Sequence, residues 1–398
     1  MKFVVESIGL TVAGGKELAL DLMASLAGHR QHQFTFVLRD SSPYEAISSS
    51  NIRKVICNNS SGLLQRALLL NYQIPNICRE EGADALLCLG NFPPRKPSCP
   101  TVVLLQNARM VYRDPVAESR LTTREKLIIA YGRHAYRNLP SDITLITQTQ
   151  VMKDHLCGPY GIDRGRVAII PNAFCFRDSE DNGNLSRPKR DEGATAFTFL
   201  CLAHYYAHKN IDIILEAAER LPKYTEKLAN CIITIAPHQH PGARKLLAKL
   251  QSTKHNGPVK NIGPVPNHML AEVYRNADAL IFPTLLESYS RTYLEAMHFG
   301  LPILTSDRDF AHHVCHDAAI YSDPLDPDSV ARAMARVMED QELRERLVEN
   351  GRRILARAPT WEEIAARFVE VLERAAQQRH TSVSTARSKT RPELEVNS

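Results

Sequence analysis

Short apolar runs alternate with longer amphipathic runs along most of the chain. The longer runs in the first half predict helices near 15–28, 63–81, 122–138 and 148–158. Runs of strand length occur at 2–6, 33–38, 85–89, 101–105, 143–147 and 167–170, and then at 197–202, 231–236, 260–262, 279–282 and 302–305. Strands that alternate with helices in this way predict an α/β protein with parallel sheets.

A late segment carries the clearest helical pattern. Thr360 and Glu363 have the spacing of a capping box at its start. Its apolar side chains recur with helical periodicity, at Trp361, Ile364, Ala365, Phe368, Val369 and Leu372. We therefore predict a C-terminal helix over 360–378. The Ser/Thr/Arg-rich residues 379–398 that follow are predicted to be a disordered tail.

The alternation is interrupted once, at residues 176–196. This stretch is polar and nearly devoid of large apolar side chains, which is typical of a linker between domains. It separates a predicted N-terminal domain, 1–175, from a predicted C-terminal domain, 197–359.

Composition narrows the class of protein. Hydrophobic residues make up 44% and charged residues 23% of the 398 residues, which is ordinary for a globular enzyme. No apolar run approaches the roughly 20 residues that span a bilayer, and the N-terminus lacks the long apolar core of a signal peptide. The nine cysteines form no Cys-x-x-Cys pair, so we expect a reduced, cytoplasmic chain. A net charge of +5 is too mild to indicate nucleic-acid binding.

The strongest candidate site is a junction between a strand and a helix. Residues 279–282 are predicted to form a buried strand, and Glu287 and Glu295 follow it eight residues apart. Ser288 or Ser290 can cap the next helix, whose N-terminal N–H groups suit a diphosphate. Glu287 is placed to accept hydrogen bonds from sugar hydroxyls. Glu295 lies further into the helix, where it can reach the two hydroxyls of a ribose.

The segment from Ala279 to Gly300 resembles the donor-sugar motif of the retaining glycosyltransferases of family 4. That resemblance implies a GT-B-type fold, with two facing Rossmann-like domains and a C-terminal helix that crosses back to the first. It also implies that a hexose is transferred from a nucleoside-diphosphate sugar with retention of configuration. The donor is expected to bind mainly to the second domain, without a cofactor.

Lys209 follows a predicted strand and directly precedes a predicted helix. A lysine in that position can place a positive charge on a pyrophosphate leaving group. In the resembled family it matches the lysine that binds the donor phosphates. The family commonly has an arginine five residues earlier, where this chain has His204. Either His204 takes over the role of the arginine, or Lys209 and the helix N-terminus carry most of the phosphate stabilisation.

The resemblance assigns further donor contacts. Gly14 and Gly15, between the first strand and the first helix, match a Gly-Gly loop that faces the cleft. The remaining donor contacts are assigned to Val265, Ser290, Arg291 and Thr292. Many family members also have a histidine after the fourth strand. Here Asn107 is the candidate for contacting the transferred sugar, so the predicted catalytic residues are Lys209, Glu287 and Asn107.

Two clusters resemble metal sites and are discounted. Asp307-Arg-Asp309 has the spacing of a metal-binding Asp-x-Asp motif, but such a triplet is common by chance. The segment containing His312, His313, Cys315 and His316 has no second cluster to complete a zinc site. We therefore predict no metal.

The acceptor is expected at the N-terminal domain, where the polar connection 40–62 can border it. A run of basic residues is either a solvated helix face or a contact with phospholipid or a lipid-diphosphate acceptor, and it comprises Arg109, Arg113, Arg120, Arg124 and Lys126. The second reading suits cell-surface polysaccharide assembly at the inner face of the membrane, with a saccharide or lipid-linked saccharide as acceptor. The alternatives are a nucleotide-sugar epimerase, a glycan phosphorylase or a non-catalytic glycan-binding or scaffold subunit.

Overall fold

The computed structural model describes residues 1–10, 13–40, 42–57, 62–174, 196–252 and 257–388. The chain divides into two compact units. The first unit comprises Met1–Asn107, Gly132–Ala173 and Pro359–Ser398, and the second comprises Ala108–Tyr131 and Phe174–Ala358. The predicted linker 176–196 lies outside the described residues apart from Ala196.

The first unit contains a seven-stranded sheet in the order β3-β2-β1-β4-β5-β6-β7. All neighbouring strands are parallel. The strands are β1 (Lys2–Glu6), β2 (Gln33–Leu38), β3 (Ile52–Ile56), β4 (Ala85–Cys88), β5 (Thr101–Leu105), β6 (Ile143–Thr147) and β7 (Val167–Ile169). Every residue of β4 and β5 is buried, as expected for central strands covered on both faces.

The second unit contains a six-stranded parallel sheet in the order β10-β9-β8-β11-β12-β13. Its strands are β8 (Phe197–Cys201), β9 (Ala229–Ile233), β10 (Val259–Asn261), β11 (Ala279–Phe282), β12 (Ile303–Ser306) and β13 (Ala319–Ser322). The strand order reverses between β8 and β11. In parallel α/β sheets, ligands bind beyond the carboxyl ends of the strands at such a reversal.

Helices connect the strands in both units, which confirms the predicted α/β class. They are α1 (Ala13–Leu26), α2 (Leu63–Leu68), α3 (Ile74–Glu81), α4 (Pro115–Ser119), α5 (Thr123–Arg137), α6 (Gln150–Tyr160), α7 (Asp212–Arg220), α8 (Pro241–Ser252), α9 (Leu270–Arg275), α10 (Arg291–His298), α11 (Asp309–Cys315), α12 (Pro327–Glu339), α13 (Gln341–Leu355) and α14 (Trp361–Ser388). A π-helical turn, Leu69–Gln73, joins α2 to α3 within the predicted helix 63–81.

The C-terminal helix α14 packs in the first unit, as predicted. It contacts α1, and its apolar face from Trp361 to Ala376 joins the core around β1. The helix continues to Ser388, beyond the predicted end at residue 378. No glycine or proline occurs between 379 and 388 to end the helix. The remainder of the predicted tail, 389–398, lies outside the described residues.

Two strands were missed in the sequence. β3 lies inside 40–62, where the sequence predicts a polar connection. It is an edge strand that pairs with β2 alone among the described strands, and Arg53 and Lys54 interrupt its apolar pattern. Charged residues are common on edge strands because they discourage further pairing. β13 was missed for a different reason. Its run, Ala319–Ser322, is too short to show a recognisable alternation of apolar and polar residues.

The first helix also begins earlier than predicted. α1 starts at Ala13, so Gly14 and Gly15 lie in its first turn rather than in a loop before it. A Cβ on Gly15 would lie 3.1 Å from Cδ2 of Leu10. The second glycine therefore permits a close approach between the helix start and the preceding chain.

Candidate active site

The predicted phosphate lysine lies just beyond the carboxyl end of β8. A 3-10 turn, Ala207–Lys209, follows the strand, and the Lys209 N–H donates to the carbonyl of Tyr206 at 2.9 Å. Asn210 then adopts a left-handed conformation with φ of +54° before α7 begins. Asparagine tolerates this conformation better than most residues. The turn therefore presents Lys209 at the reversal between β8 and β11.

The structure brings Lys209 and Glu287 together. Lys209 Nζ lies 2.5 Å from Glu287 Oε1, and the hydroxyl of Thr284 donates to the same oxygen at 2.9 Å. The two charged side chains are only 14% and 12% exposed. Lys209 Nζ also lies 4.6 Å from the centroid of the Phe282 ring. Removing either partner would leave a poorly solvated charge, which is costly.

Backbone contacts fix the 3-10 turn Ala207–Lys209, which we call the lysine turn, to the segment that carries Glu287. The carbonyl of His208 accepts a hydrogen bond from the Leu285 N–H at 2.7 Å, and the Thr284 hydroxyl oxygen lies 3.2 Å from the same carbonyl oxygen. The His208 ring stacks on Tyr206 with centroids 5.5 Å apart. Burial, together with the positive charges of Lys209 and Arg109, lowers the pKa of His208 well below its usual value. Its ring is therefore neutral at neutral pH.

The start of α10 contains the second glutamate of the motif. Ser290 occupies the N-cap position and is buried, without a side-chain capping bond, and Arg291 and Thr292 form the first turn. Glu295 is buried, and its Oε2 accepts a hydrogen bond from the Tyr274 hydroxyl at 2.8 Å. Arg291 Nε lies 3.7 Å from Glu295 Oε1. One carboxylate oxygen of Glu295 is thus fixed from α9 and the other faces an arginine.

His204 lies between the end of β8 and the lysine turn. Its ring lies 4.7 Å from that of Tyr206, centroid to centroid. Partial burial, followed by repulsion from His238 and Lys209, lowers the pKa of His204 below its usual value. An approaching diphosphate would favour the protonated ring, so this histidine can supply a pH-dependent charge where the family commonly has a permanent one.

The remaining predicted site residues divide between the units. Val265 is half-buried in the loop after β10, in the second unit. Gly14, Gly15 and Asn107 lie in the first unit. The Asn107 N–H donates to Oδ1 of Asn91 at 2.9 Å, which fixes the backbone after β5.

A buried carboxylate in the first unit was missed. Glu6 ends β1, and its two oxygens accept the N–H groups of Gly9 at 3.3 Å and Gly90 at 3.2 Å. Burial raises the pKa of Glu6, although hydrogen bonds from backbone N–H groups and the charge of Arg66 oppose the shift. The available signal was a glutamate that ends an otherwise apolar strand at the carboxyl edge of the sheet.

The two clusters that were discounted as metal sites, Asp307-Arg-Asp309 and the segment from His312 to His316, form contacts within the protein. Asp307 Oδ1 lies 2.7 Å from His312 Nε2, and Asp309 begins α11. Across the described parts of the chain, no three His, Cys, Asp or Glu side chains are grouped as metal ligands. In the same residues, no helix combines the length and apolar character needed to cross a membrane.

Comparisons with known proteins match this architecture. The family described as glycosyl transferases group 1 matches residues 184–354. An uncharacterized glycosyltransferase, MJ1607, from Methanocaldococcus jannaschii is 24% identical over 242 residues, which cover 57% of this chain and 59% of that protein. O-antigen chain mannosyltransferase B from Escherichia coli is 26% identical over 163 residues, which cover 40% of this chain and 42% of that protein.

The chain thus spans about half the length of these curated relatives. Among solved structures, Anabaena Alr3699/HepE in complex with UDP-glucose superimposes with a TM-score of 0.68 at 16% identity. The superposition covers 94% of this chain and 99% of that one, which supports a GT-B fold. Residues 184–354 of the chain are therefore similar to the glycosyl transferases group 1 family, which agrees with the predicted family resemblance.

Proposed function

We propose that this protein transfers a hexose from a nucleoside-diphosphate sugar to a saccharide or lipid-linked saccharide, with retention of anomeric configuration. The observation that carries the proposal is the pairing of Lys209 with Glu287 at the strand-order reversal, beside the start of α10. This arrangement provides a cation, a hydrogen-bond acceptor and a helix N-terminus at one sheet edge.

Lys209 and the first turn of α10 would bind the diphosphate. The ammonium group supplies a full positive charge, and the first N–H groups of a helix supply about half a charge more. Arg291 and Thr292 add polar side chains on that turn. Charge neutralisation by protein groups makes a divalent metal unnecessary, so we propose a metal-independent reaction with no cofactor.

Glu287 and Glu295 would bind hydroxyl groups on either side of the diphosphate. Glu287 would accept hydrogen bonds from the transferred sugar, and Glu295 from the ribose. The hydrogen bond from Tyr274 to Glu295 holds that carboxylate in one orientation. The half-buried Val265 would contact the nucleotide base, and Gly14 and Gly15 would let the backbone approach the donor closely.

A front-face mechanism fits these residues best. The departing diphosphate oxygen would accept the proton of the attacking hydroxyl, while Lys209 stabilises the negative charge that develops on it. The buried carboxylate of Glu6 already accepts backbone N–H groups through both oxygens, so it is a structural group rather than a covalent nucleophile. Asn107 would orient the transferred sugar, since an amide cannot act as a general base.

We propose a role in cell-surface polysaccharide synthesis, in the cytoplasm at the inner face of the membrane. One similar protein is an O-antigen chain mannosyltransferase. Three exposed apolar side chains, Leu64, Leu68 and Tyr72, recur every four residues on the helical run of the first unit, at 74%, 49% and 67% exposure. Such a face suits insertion between lipid headgroups. Flotation with anionic vesicles tests this role, and binding unchanged in Leu64→Glu would contradict it.

The activity itself is tested by donor turnover. Nucleotide release from UDP-, GDP- and dTDP-hexoses should occur for one donor, and NMR of the product should show the anomeric configuration of the donor. An inverted product would contradict retention. Release of a modified sugar without any acceptor would indicate an epimerase, and a requirement for inorganic phosphate would indicate a phosphorylase. No turnover of any donor would favour the non-catalytic subunit.

A further inference from the structure

The second unit includes a segment from the first half of the sequence, Ala108–Tyr131, which we name the brace. It contains α4 and the beginning of α5. Asp114 caps α4 through the Ala117 N–H at 2.8 Å. α4 packs directly against the 3-10 turn Ala207–Lys209. The brace is therefore in contact with the turn that carries the phosphate lysine.

One end of the lysine turn is held by Arg120. Arg120 Nη1 donates to Asn210 Oδ1 at 2.5 Å, and Asn210 Nδ2 donates to the carbonyl of Pro324 at 2.7 Å. Asn210 is only 1% exposed and holds the left-handed conformation that ends the turn. Its carbonyl also accepts the Ile213 N–H at 3.2 Å, at the start of α7. Arg120 thus contacts the residue that fixes the direction in which the chain leaves Lys209.

The other end of the turn is held by Arg109. Its guanidinium lies 5.8 Å from the Tyr206 ring centroid and 3.0 Å from Glu125 Oε1. Glu125 Oε2 lies 3.5 Å from His240 Nε2, and the His240 ring stacks on Tyr205 at 5.6 Å. Arg109 and Glu125 therefore reach both tyrosines that precede Ala207.

Glu125 is suited to remain charged in this network. Burial alone would raise its pKa, but hydrogen bonds from Thr122 and the charges of Arg109 and His240 hold the pKa below its usual value. The Thr122 N–H and hydroxyl both donate to Glu125 Oε2, at 3.0 and 2.8 Å. The charge pair with Arg109 is thus anchored at the start of α5.

We infer that the brace sets the position of Lys209 for catalysis, with Arg120 as a positioning residue that acts through Asn210. This inference rests on the proposed function in one respect, namely that Lys209 stabilises the leaving diphosphate. It gives two of the five basic residues in 109–126 a role within the second unit. If Arg109 and Arg120 only formed a solvated helix face, they would not contact Tyr206 and Asn210, the residues on either side of the lysine turn.

Arg120→Ala tests the inference, with Arg120→Lys as the conservative variant. The matched control is Arg124→Ala, which removes an exposed arginine from the same segment. The first readout is hydrogen exchange in peptides covering 203–215, which needs no substrate. We expect faster exchange there in Arg120→Ala, with partial recovery in Arg120→Lys and no change in Arg124→Ala.

The second readout is steady-state kinetics with the donor that the wild type turns over. We expect Arg120→Ala to lower kcat about tenfold, because a charge-assisted hydrogen bond no longer fixes the turn. The KM for the acceptor should stay unchanged, and Arg120→Lys should recover part of kcat. A purely structural role would instead lower the Tm while kcat of the folded fraction stayed normal.

The possible outcomes separate this inference from the proposed function. Unchanged exchange in 203–215, or normal kcat in folded Arg120→Ala, would overturn the positioning role. If the wild type turned over no nucleotide sugar, the proposed function would fail, and hydrogen exchange would still decide whether Arg120 fixes the turn.

Discussion

The carboxyl edges of the two sheets are built in different ways. At the edge of the second sheet, charged side chains meet one another, as Lys209 meets Glu287 and Arg291 faces Glu295. At the edge of the first sheet, Glu6 meets backbone N–H groups of Gly9 and Gly90. One edge therefore depends on side-chain charges, and the other on how closely two glycine-containing loops approach a carboxylate.

We interpret the charge pairs of the second edge as groups for substrate binding and catalysis, and the contacts of Glu6 with Gly9 and Gly90 as groups that maintain the fold. Charge pairs at the second edge can be exchanged for interactions with a charged substrate, because their partners are ionic. Glycines at the first edge cannot be replaced without moving the chain, since a Cβ on Gly9 would lie 3.0 Å from Cα of Gly90. We therefore expect substitutions of Lys209 and Glu287 to affect turnover and substitutions of Gly9 and Gly90 to affect folding.

The largest effect is expected for Lys209→Met, which keeps the length of the side chain and removes its charge. Loss of an electrostatic group that acts on the leaving group should lower kcat by about 10²–10³-fold. Single-turnover kinetics at saturating donor would measure this loss. Lys260→Met, at an exposed lysine of the same unit, is the control and should keep normal kcat. A folded Lys209→Met enzyme with near-normal kcat would contradict the proposed role.

The same pair allows stability to be separated from catalysis. Lys209→Met leaves the Glu287 carboxylate with the Thr284 hydroxyl but without its cation, so the Tm should fall. Adding Glu287→Gln should recover Tm, because the uncompensated charge is removed, while kcat stays low. Recovery of kcat in the double variant would show that the single variant lost activity through misfolding alone.

A smaller effect, on stability alone, is expected at the first edge. In Gly90→Ala the new Cβ would lie 2.9 Å from Oε2 of Glu6, which should cost about 1–3 kcal/mol of unfolding free energy. Trp361, the single tryptophan, packs in the core of the first unit and reports its unfolding by fluorescence. Gly158→Ala is the control, since a Cβ on Gly158 would meet no heavy atom within 4 Å outside its own helix backbone and chain neighbours. Equal urea midpoints for both variants would argue against the crowding at Gly90.

The smallest effect is expected at His204. Because the pKa of His204 is lowered in the folded protein, its ring is neutral at pH 7 and gains a proton as the pH falls. Donor affinity should therefore rise about threefold from pH 8 to pH 5 as the ring becomes cationic beside the diphosphate. His204→Arg should bind the donor equally at both ends of this range. The affinity should be measured with the intact nucleotide sugar, because the terminal phosphate of a free nucleotide would itself titrate near pH 6.

His204 is not the only titratable group near the lysine turn. His238 and Lys209 repel its charge, and the Tyr206 ring packs against it. His238→Gln therefore serves as a second control, which should raise the pKa of His204 and shift the dependence to higher pH. A pH dependence that persists in His204→Arg would assign the effect to another group.

The sequence predicted the parts of the molecule that local patterns specify. The buried strand β11, the helix start after it and the lysine after β8 each carry their own signal in neighbouring residues. The C-terminal helix was predicted from its apolar stripe, and its return to the first unit was expected from the family resemblance. These features follow from burial and periodicity over short windows.

Other features depend on contacts between distant residues and were not predicted. The hydrogen bond from Tyr274 to Glu295 spans 21 positions, and that from Arg120 to Asn210 spans 90. Nothing near Arg120 in the sequence distinguishes it from Arg124. The edge strand β3 was missed because Arg53 and Lys54 interrupt its apolar pattern. The sequence therefore identified the residues that bear charge but not the partners that orient them.

The central claim is that the edge of the second sheet binds a nucleoside-diphosphate sugar through Lys209 and Glu287. Calorimetric titration of UDP-, GDP- and dTDP-hexoses without metal, into the wild type, Lys209→Ala and Glu287→Ala, tests it most directly. We predict that one donor binds the wild type and that both variants lose most of that affinity. Binding of no donor to the wild type, or equal binding to all three proteins, would contradict the account.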